Sequence, residues 1–187
     1  MSLIPDIVTH NYDPVRGVGR NICDLPEVEA EQVLDEIRAS GTRRIKSDYL
    51  KRRVVVEDWL ITERRKKLGK TPLDRPVYFF LGNFADGEDP SRPASLIMPL
   101  SAFRSDRLTF TYPDSMASLP IATRDCHLPH RKAYHGQVFT LAEIKAVVGQ
   151  FGMPATRWKN DPAMIYDRFI EVQVWDDQPI RHWLTTV

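Results

Sequence analysis

The stretch RFIEVQVWDDQPI, residues 168–180, decides the fold of this chain. Ile170, Val172 and Val174 alternate with Phe169, Glu171, Gln173 and Trp175, the two-residue period of a β-strand, and DDQP closes it. The apolar set requires a core on one face. On the other face the polar pair Glu171 and Gln173 is flanked by two aromatic residues. A carboxylate in that setting is expected to be partly shielded from water, and a shielded carboxylate can bind a sugar hydroxyl or stabilise a developing cation. The plainer alternative is a solvent-facing Glu171 with ordinary cross-strand partners.

Immediately upstream, Thr140 and Glu143 have capping-box spacing ahead of LAEIKAVVGQF, in which Leu141, Ile144, Val147, Val148 and Phe151 are apolar; Gly152 and Pro154 stop the helix. Residues 113–137 hold three prolines and little periodicity, so a long loop is expected there. SLIMPL and RLTFTY read as short strands, with Pro99 marking an edge or an end. After Pro76, the aromatic and β-branched VYFFLGNF reads as a buried strand, followed by a loop over residues 82–93.

The N-terminal third is helical in pattern. Asp24 with Glu27 three residues on gives a start signal for a helix with Ala30, Val33, Leu34 and Ile37 on one face. A second helix over about residues 45–67 turns Ile45, Tyr49, Val56, Trp59 and Leu60 inward and leaves its charges outside. Helices first and strands scattered later, with no βαβα repeat, predict an α+β fold, a single domain over residues 1–187 with N-terminal and late helices packed on the sheet. A length of 187 residues and a mass of 21.6 kDa suit one domain.

The composition, 42% hydrophobic and 27% charged, is that of a globular chain and excludes global disorder or a fibrous repeat. Net charge is +1, so no global field draws the chain to nucleic acid or membrane. Charge is uneven locally: residues 24–40 carry six acids and one base, and residues 43–70 carry eleven bases and four acids. Those bases include Arg43, Arg44, Arg52, Arg53, Arg64 and Lys70. They support phosphate or nucleic-acid binding as one function and a solvated helix surface, paired with the acidic helix, as another. Two cysteines, Cys23 and Cys126, no secretory signal pattern at MSLIPDIVTH and no long apolar run lead to an expected cytoplasmic location, with no membrane partner.

Cys126, His127, His130 and His135 lie within ten residues, but their spacing lacks the paired clamps of a zinc site, so no metal is expected. No nucleophile-elbow, P-loop, zincin or CxxC motif is present.

Taken in order, DIVTHNY followed by a helix, IKSDYLKRR, VYFFLGNF, LIMPL followed by FTYPDSMA, and RFIEVQVWDDQPI resemble the ADP-ribosyltransferase fold, especially the compact DarT-type enzymes that modify DNA. The resemblance implies a split, mostly antiparallel sheet with a cleft for NAD as substrate. It implies that Glu171 is the catalytic carboxylate, hydrogen-bonded to the nicotinamide ribose and stabilising an oxocarbenium-like state. It places His10 at a ribose, Arg52 or Arg53 at the phosphates, and Tyr78 or Tyr112 in a stack on nicotinamide. The alternative function is a non-catalytic module in which residues 43–70 hold nucleic acid or an acidic partner protein. The acceptor of any ADP-ribose and the oligomeric state are left open.

Overall fold

The computed structural model describes residues 4–84, 89–123, 131–154, 161 and 164–186. Five strands form one sheet: β1 (Ile7–Tyr12), β2 (Val77–Leu81), β3 (Ala94–Pro99), β4 (Leu108–Thr111) and β5 (Glu171–Val174). Their order is β3-β1-β2-β5-β4, with every neighbouring pair antiparallel. The helices are α1 (Glu27–Ser40), α2 (Tyr49–Leu68), α3 (Ser115–Thr123), α4 (Leu141–Phe151) and α5 (Gln178–Thr186). The α+β class and the antiparallel sheet with early and late helices on it are as expected.

Alternation in β5 divides the two layers. Val172 and Val174, with Val8, Phe79, Leu81, Met98, Leu108 and Phe110, form the main core, which Ile144 and Val148 of α4 and Ile180 of α5 close. Trp175, on the Glu171 side, packs with Val56 and Leu60 of α2 and with Met116 and Leu119 of α3. The sheet is therefore covered on both faces, and β5, its fourth strand, has all four residues buried. A third, smaller cluster of Ala30, Leu34 and Leu50 fixes α1 to the start of α2.

The sheet is split. β1 pairs β2 only at Val8↔Leu81 and Thr9↔Phe80, whereas β1 runs on with β3 as far as Tyr12↔Ala94 and β2 runs on with β5 down to Val77↔Val174. The gap that opens beyond Thr9 is where the cleft described below begins.

Four local expectations change. α1 starts at Glu27, not near Asp24, because Pro26 takes the N-cap and Asn21 caps a separate 3-10 turn at Ile22–Asp24 by accepting the Cys23 N–H. α2 starts at Tyr49, and three of its charged residues, Arg53, Glu57 and Arg64, are buried, not outside. Residues 113–137 are not all loop: Asp114 starts α3, its Oδ1 and carbonyl accepting from Ala117 and Ser118 N–H. That helix has apolar contacts on more than one side and Pro120 inside it, which erases its periodicity. DDQP ends β5 and also begins α5, since Pro179 falls in the first turn, where its missing N–H costs nothing.

The turn before Phe139 is held by Gly136, at φ +74°, whose N–H bonds Ser118 Oγ at 2.8 Å. A Cβ there would lie 2.1 Å from Ala122 Cβ on α3. Gly136→Ala should therefore lower stability in urea unfolding by about 2 to 4 kcal/mol, from left-handed strain plus overpacking. Adding Ala122→Gly should restore the packing part only.

Candidate active site

A cleft of about 1230 Å³ runs from the split in the sheet to α1 and the loop after β1. Glu171, Arg53, Tyr78 and His10, four of the six residues singled out from the sequence, line it. Arg52 does not: it pairs with Asp48 on the outer side of α2 (3.2 Å) and borders a separate groove against α3. Tyr112 does not either. It is fully buried in the main core, stacked on Tyr134 with ring centroids 4.3 Å apart, and cannot meet a ligand.

Glu171 is 6% exposed. Its Oε1 accepts the Ser115 N–H at 3.3 Å and the Gln173 side-chain amide at 3.0 Å, and among the described residues Oε2 takes no hydrogen bond. Behind it runs a buried relay. Trp175 Nε1 donates to Thr109 Oγ1 (2.8 Å), Thr109 donates to Gln173 Oε1 (3.0 Å), and Gln173 Nε2 donates to Thr111 Oγ1 (3.0 Å) as well as to Glu171. The register supplies the threonines, since Thr109 faces Gln173 and Thr111 faces Glu171 across β4 and β5. Of the two aromatic residues expected to flank Glu171, Phe169 lines the cleft with it, whereas Trp175 packs in the second core under α2 and α3. Phe80 lies opposite Glu171 in the β2–β5 ladder and packs edge-on against Phe169 (4.4 Å), and both rings line the cleft.

Arg53 and Tyr78 are held by Glu57, a residue with no exposed surface. Glu57 Oε1 accepts from Tyr78 OH and from Asn21 Nδ2 at 3.1 Å, and it forms an ion pair with Arg53 Nη2 at 3.2 Å. Arg75 Nη1 lies 3.6 Å from Oε2. The Arg53 guanidinium covers the Tyr78 ring at 4.0 Å. Burial works against the Arg53 charge, but the surrounding Tyr78, Tyr49, Glu171 and Glu57 more than offset it, and the group stays above its ordinary range. Burial, with Glu57 beside it, pushes the Tyr78 hydroxyl well up. Tyr78 thus has its hydroxyl bound and a face occupied, so Phe80 and Phe169 are the open aromatic wall.

His10 fills the split. Where the β1–β2 ladder ends, its Nδ1 donates to the Tyr78 carbonyl at 2.7 Å and its Nε2 accepts the Gly19 N–H at 3.0 Å. Both ring nitrogens are engaged by backbone, so His10 holds the loop after β1 against β2. Burial pulls its pKa down to about 4, only partly countered by the Tyr78 bond.

Cys126, His127 and His130 lie outside the described residues. His135 has a structural environment: its Nδ1 accepts the Lys132 N–H (3.1 Å) and its Nε2 donates to the buried Asp167 (2.8 Å), which Lys132 Nζ and Tyr134 OH also bind. Despite its burial, these bonds hold the Asp167 carboxyl below its usual range. Among the described residues no three metal-ligating side chains converge. The basic region is divided: Arg43 pairs Asp89 (3.4 Å), Lys66 pairs Glu63 (2.6 Å), Lys67 pairs Glu143 (2.7 Å), and Arg53 and Arg64 are buried, whereas Arg44, Lys46, Lys51, Arg65 and Lys70 are exposed. Among the described residues no ion pair joins its bases to the acids of α1; the two segments are joined by Arg38 of α1, which donates to the Ile45 and Lys46 carbonyls (3.4 and 3.2 Å) and also pairs Glu31 and Asp35 within its helix.

No protein-family model matches this chain, and neither a curated protein nor a solved structure is recognisably similar to it.

The sequence pattern missed Glu57, Asn21 and Gln173 as organisers of the site. Glu57 carried a detectable signal, falling between Val56 and Leu60 on the inward stripe of α2 and one turn after Arg53. Two measurements check this wall. Glu57→Ala should cost about 3 to 5 kcal/mol in chemical unfolding by stranding Arg53, and the double change with Arg53→Met should recover a large part of it. In an NMR titration the His10 imidazole should stay neutral, as the Nδ1–H tautomer, down to about pH 4. Because the folded pKa lies below the unfolded value, His10 contributes stability above pH 6.5 that is lost as pH falls toward 4. In His10→Gln that part of the pH dependence should vanish.

Proposed function

We propose that this chain cleaves the N-glycosidic bond of NAD, releasing nicotinamide and passing ADP-ribose to an acceptor. The observation that carries this is Glu171: a buried carboxylate on the wall of a cleft, held through one oxygen by two donors, with the other oxygen left for a ligand. A cleft of about 1230 Å³ lies above the usual size of small-molecule pockets and leaves room for a dinucleotide beside a second reactant. The resemblance in element order adds to the same reading.

The steps follow from charge. Nicotinamide is bound as a cationic leaving group against the apolar wall of Phe80 and Phe169. As the C1′–N bond lengthens, positive charge moves onto the ribose, and the carboxylate of Glu171, fixed in advance, stabilises it where little water competes. Oε2 accepts a ribose hydroxyl. Arg53, kept charged by Glu57, lies toward the cleft as the cation for a phosphate. His10 shapes the entry and touches no reacting atom. The unpaired half-buried Cys23 fits the reducing, cytoplasmic location expected from the cysteine count.

Titration calorimetry with NAD should show one site per chain. Glu171→Gln should retain binding and slow nicotinamide release by roughly 10² to 10³-fold, the range for losing one preorganised electrostatic group. Arg52→Ala, outside the cleft, should leave both unchanged. Absence of NAD binding and of nicotinamide release in the unaltered protein would overturn the proposal.

A further inference from the structure

A second carboxyl group shares the cleft with Glu171. Asp114 lines it one residue before Ser115, whose N–H binds Glu171. It is half-buried, so it can be reached from the cleft, and its Oδ1 accepts the Ala117 N–H at 3.1 Å while starting α3. Three elements bring groups to it: Glu171 from β5, Arg53 from α2, and the Met116 and Ala117 N–H groups of its own helix. Among the described residues it makes no ion pair, unlike the carboxylates of Asp167, Glu57 and Asp89.

Burial and the neighbouring Glu171 push the Asp114 carboxyl up to about 6, against the pull of Arg53 and the helix N–H groups. His10, on the same cleft, titrates well below that. The two carboxyl groups also differ in what holds them: Glu171 Oε1 accepts from the Ser115 N–H and the Gln173 amide, while Asp114 Oδ1 accepts from the N–H of Ala117 in its own helix. A carboxylate that must stay anionic to stabilise a cation cannot at the same moment absorb a proton, whereas a neighbour that titrates just below neutrality can.

We propose that Asp114 is the general base of the second half of the reaction, and that the acceptor is a nucleophile that has to lose a proton as it attacks, with water as the simplest case. This rests on the NAD reading of the same cleft. The C1′–N bond breaks and its electron pair leaves with nicotinamide, which is neutral and recombines with C1′ unless the acceptor captures that carbon first, so that net nicotinamide release reads both halves. An oxygen lone pair of the acceptor forms the C1′–O bond, and the proton of that oxygen passes to the Asp114 carboxylate and then to solvent. With water, NAD⁺ and H₂O become ADP-ribose, nicotinamide and H⁺.

The test follows nicotinamide release from NAD between pH 4.5 and 8.5, with calorimetry of NAD binding in parallel. The unaltered protein should lose rate about tenfold per pH unit below about 6. Asp114→Asn, and Asp114→Ser as a second residue able to start α3, should bind NAD normally and release nicotinamide roughly 10² to 10⁴-fold more slowly, without the acid limb. Azide, a nucleophile with no proton to shed, should restore their rate and form the glycosyl azide. A flat profile between pH 5 and 8 in the unaltered protein overturns the inference even if neither variant folds. So does a folded variant that keeps the full rate and limb, or one that azide does not rescue. If the unaltered protein neither binds NAD nor releases nicotinamide, the NAD reading itself has failed; if it does both and the Asp114 variants behave like it, only the role of Asp114 has.

Discussion

A strand buried on both faces has to find a partner for every polar atom it carries, and that constraint on β5 organises this protein. Burying a side-chain amide without partners costs roughly 1 to 3 kcal/mol. Gln173 has no exposed surface, and the cost is avoided because β4 presents Thr109 and Thr111 at the matching register and Glu171 accepts from the same amide. Thr109 in turn satisfies the Trp175 indole. The relay has a direction, from indole to hydroxyl to amide to carboxylate, and it ends on Glu171. The same bonds that make the core chemically consistent therefore aim one oxygen of that side chain into the protein and leave the other at the cleft.

The opposite wall applies similar logic to a charge. Glu57 gathers an arginine, a tyrosine hydroxyl and an asparagine amide from α2, β2 and the loop after β1. A buried pair of this kind is not a strong net source of stability, because desolvating both ions offsets most of their attraction. Its effect is positional. Arg53 is buried, with the Tyr78 ring beneath its guanidinium. A site that stabilises developing charge needs such groups fixed before the substrate arrives.

Much of this was legible in the sequence, and the remainder failed for identifiable reasons. The alternation of β5 and the capping box of α4 involve only neighbours, so Glu171 could be singled out and Thr140 and Glu143 form the box as read. α3 was not legible because its apolar residues lack a helical stripe, and α5 because a proline in a first turn looks like a stop. Arg53 and Arg52 are adjacent letters, but the 100° step of the helix sends the first to the cleft and the second outward. Tyr112 and Tyr78 are distinguished only by which side of the sheet receives them. Glu57 required knowing that Asn21 and Tyr78, 36 and 21 residues away, would arrive beside it.

The join between β1 and β2 is only two residue pairs long, supplemented by Thr9, whose hydroxyl bonds the Gly82 carbonyl, and by the His10 ring. This seam connects the β1–β3 ribbon to the remaining three strands, and the cleft opens directly along it. A molecule lodged there sutures two halves that the backbone ladder barely stitches together. Occupancy and resistance to unfolding are consequently linked, so that a hundredfold excess of such a molecule over its dissociation constant adds about 2.7 kcal/mol to the folded state.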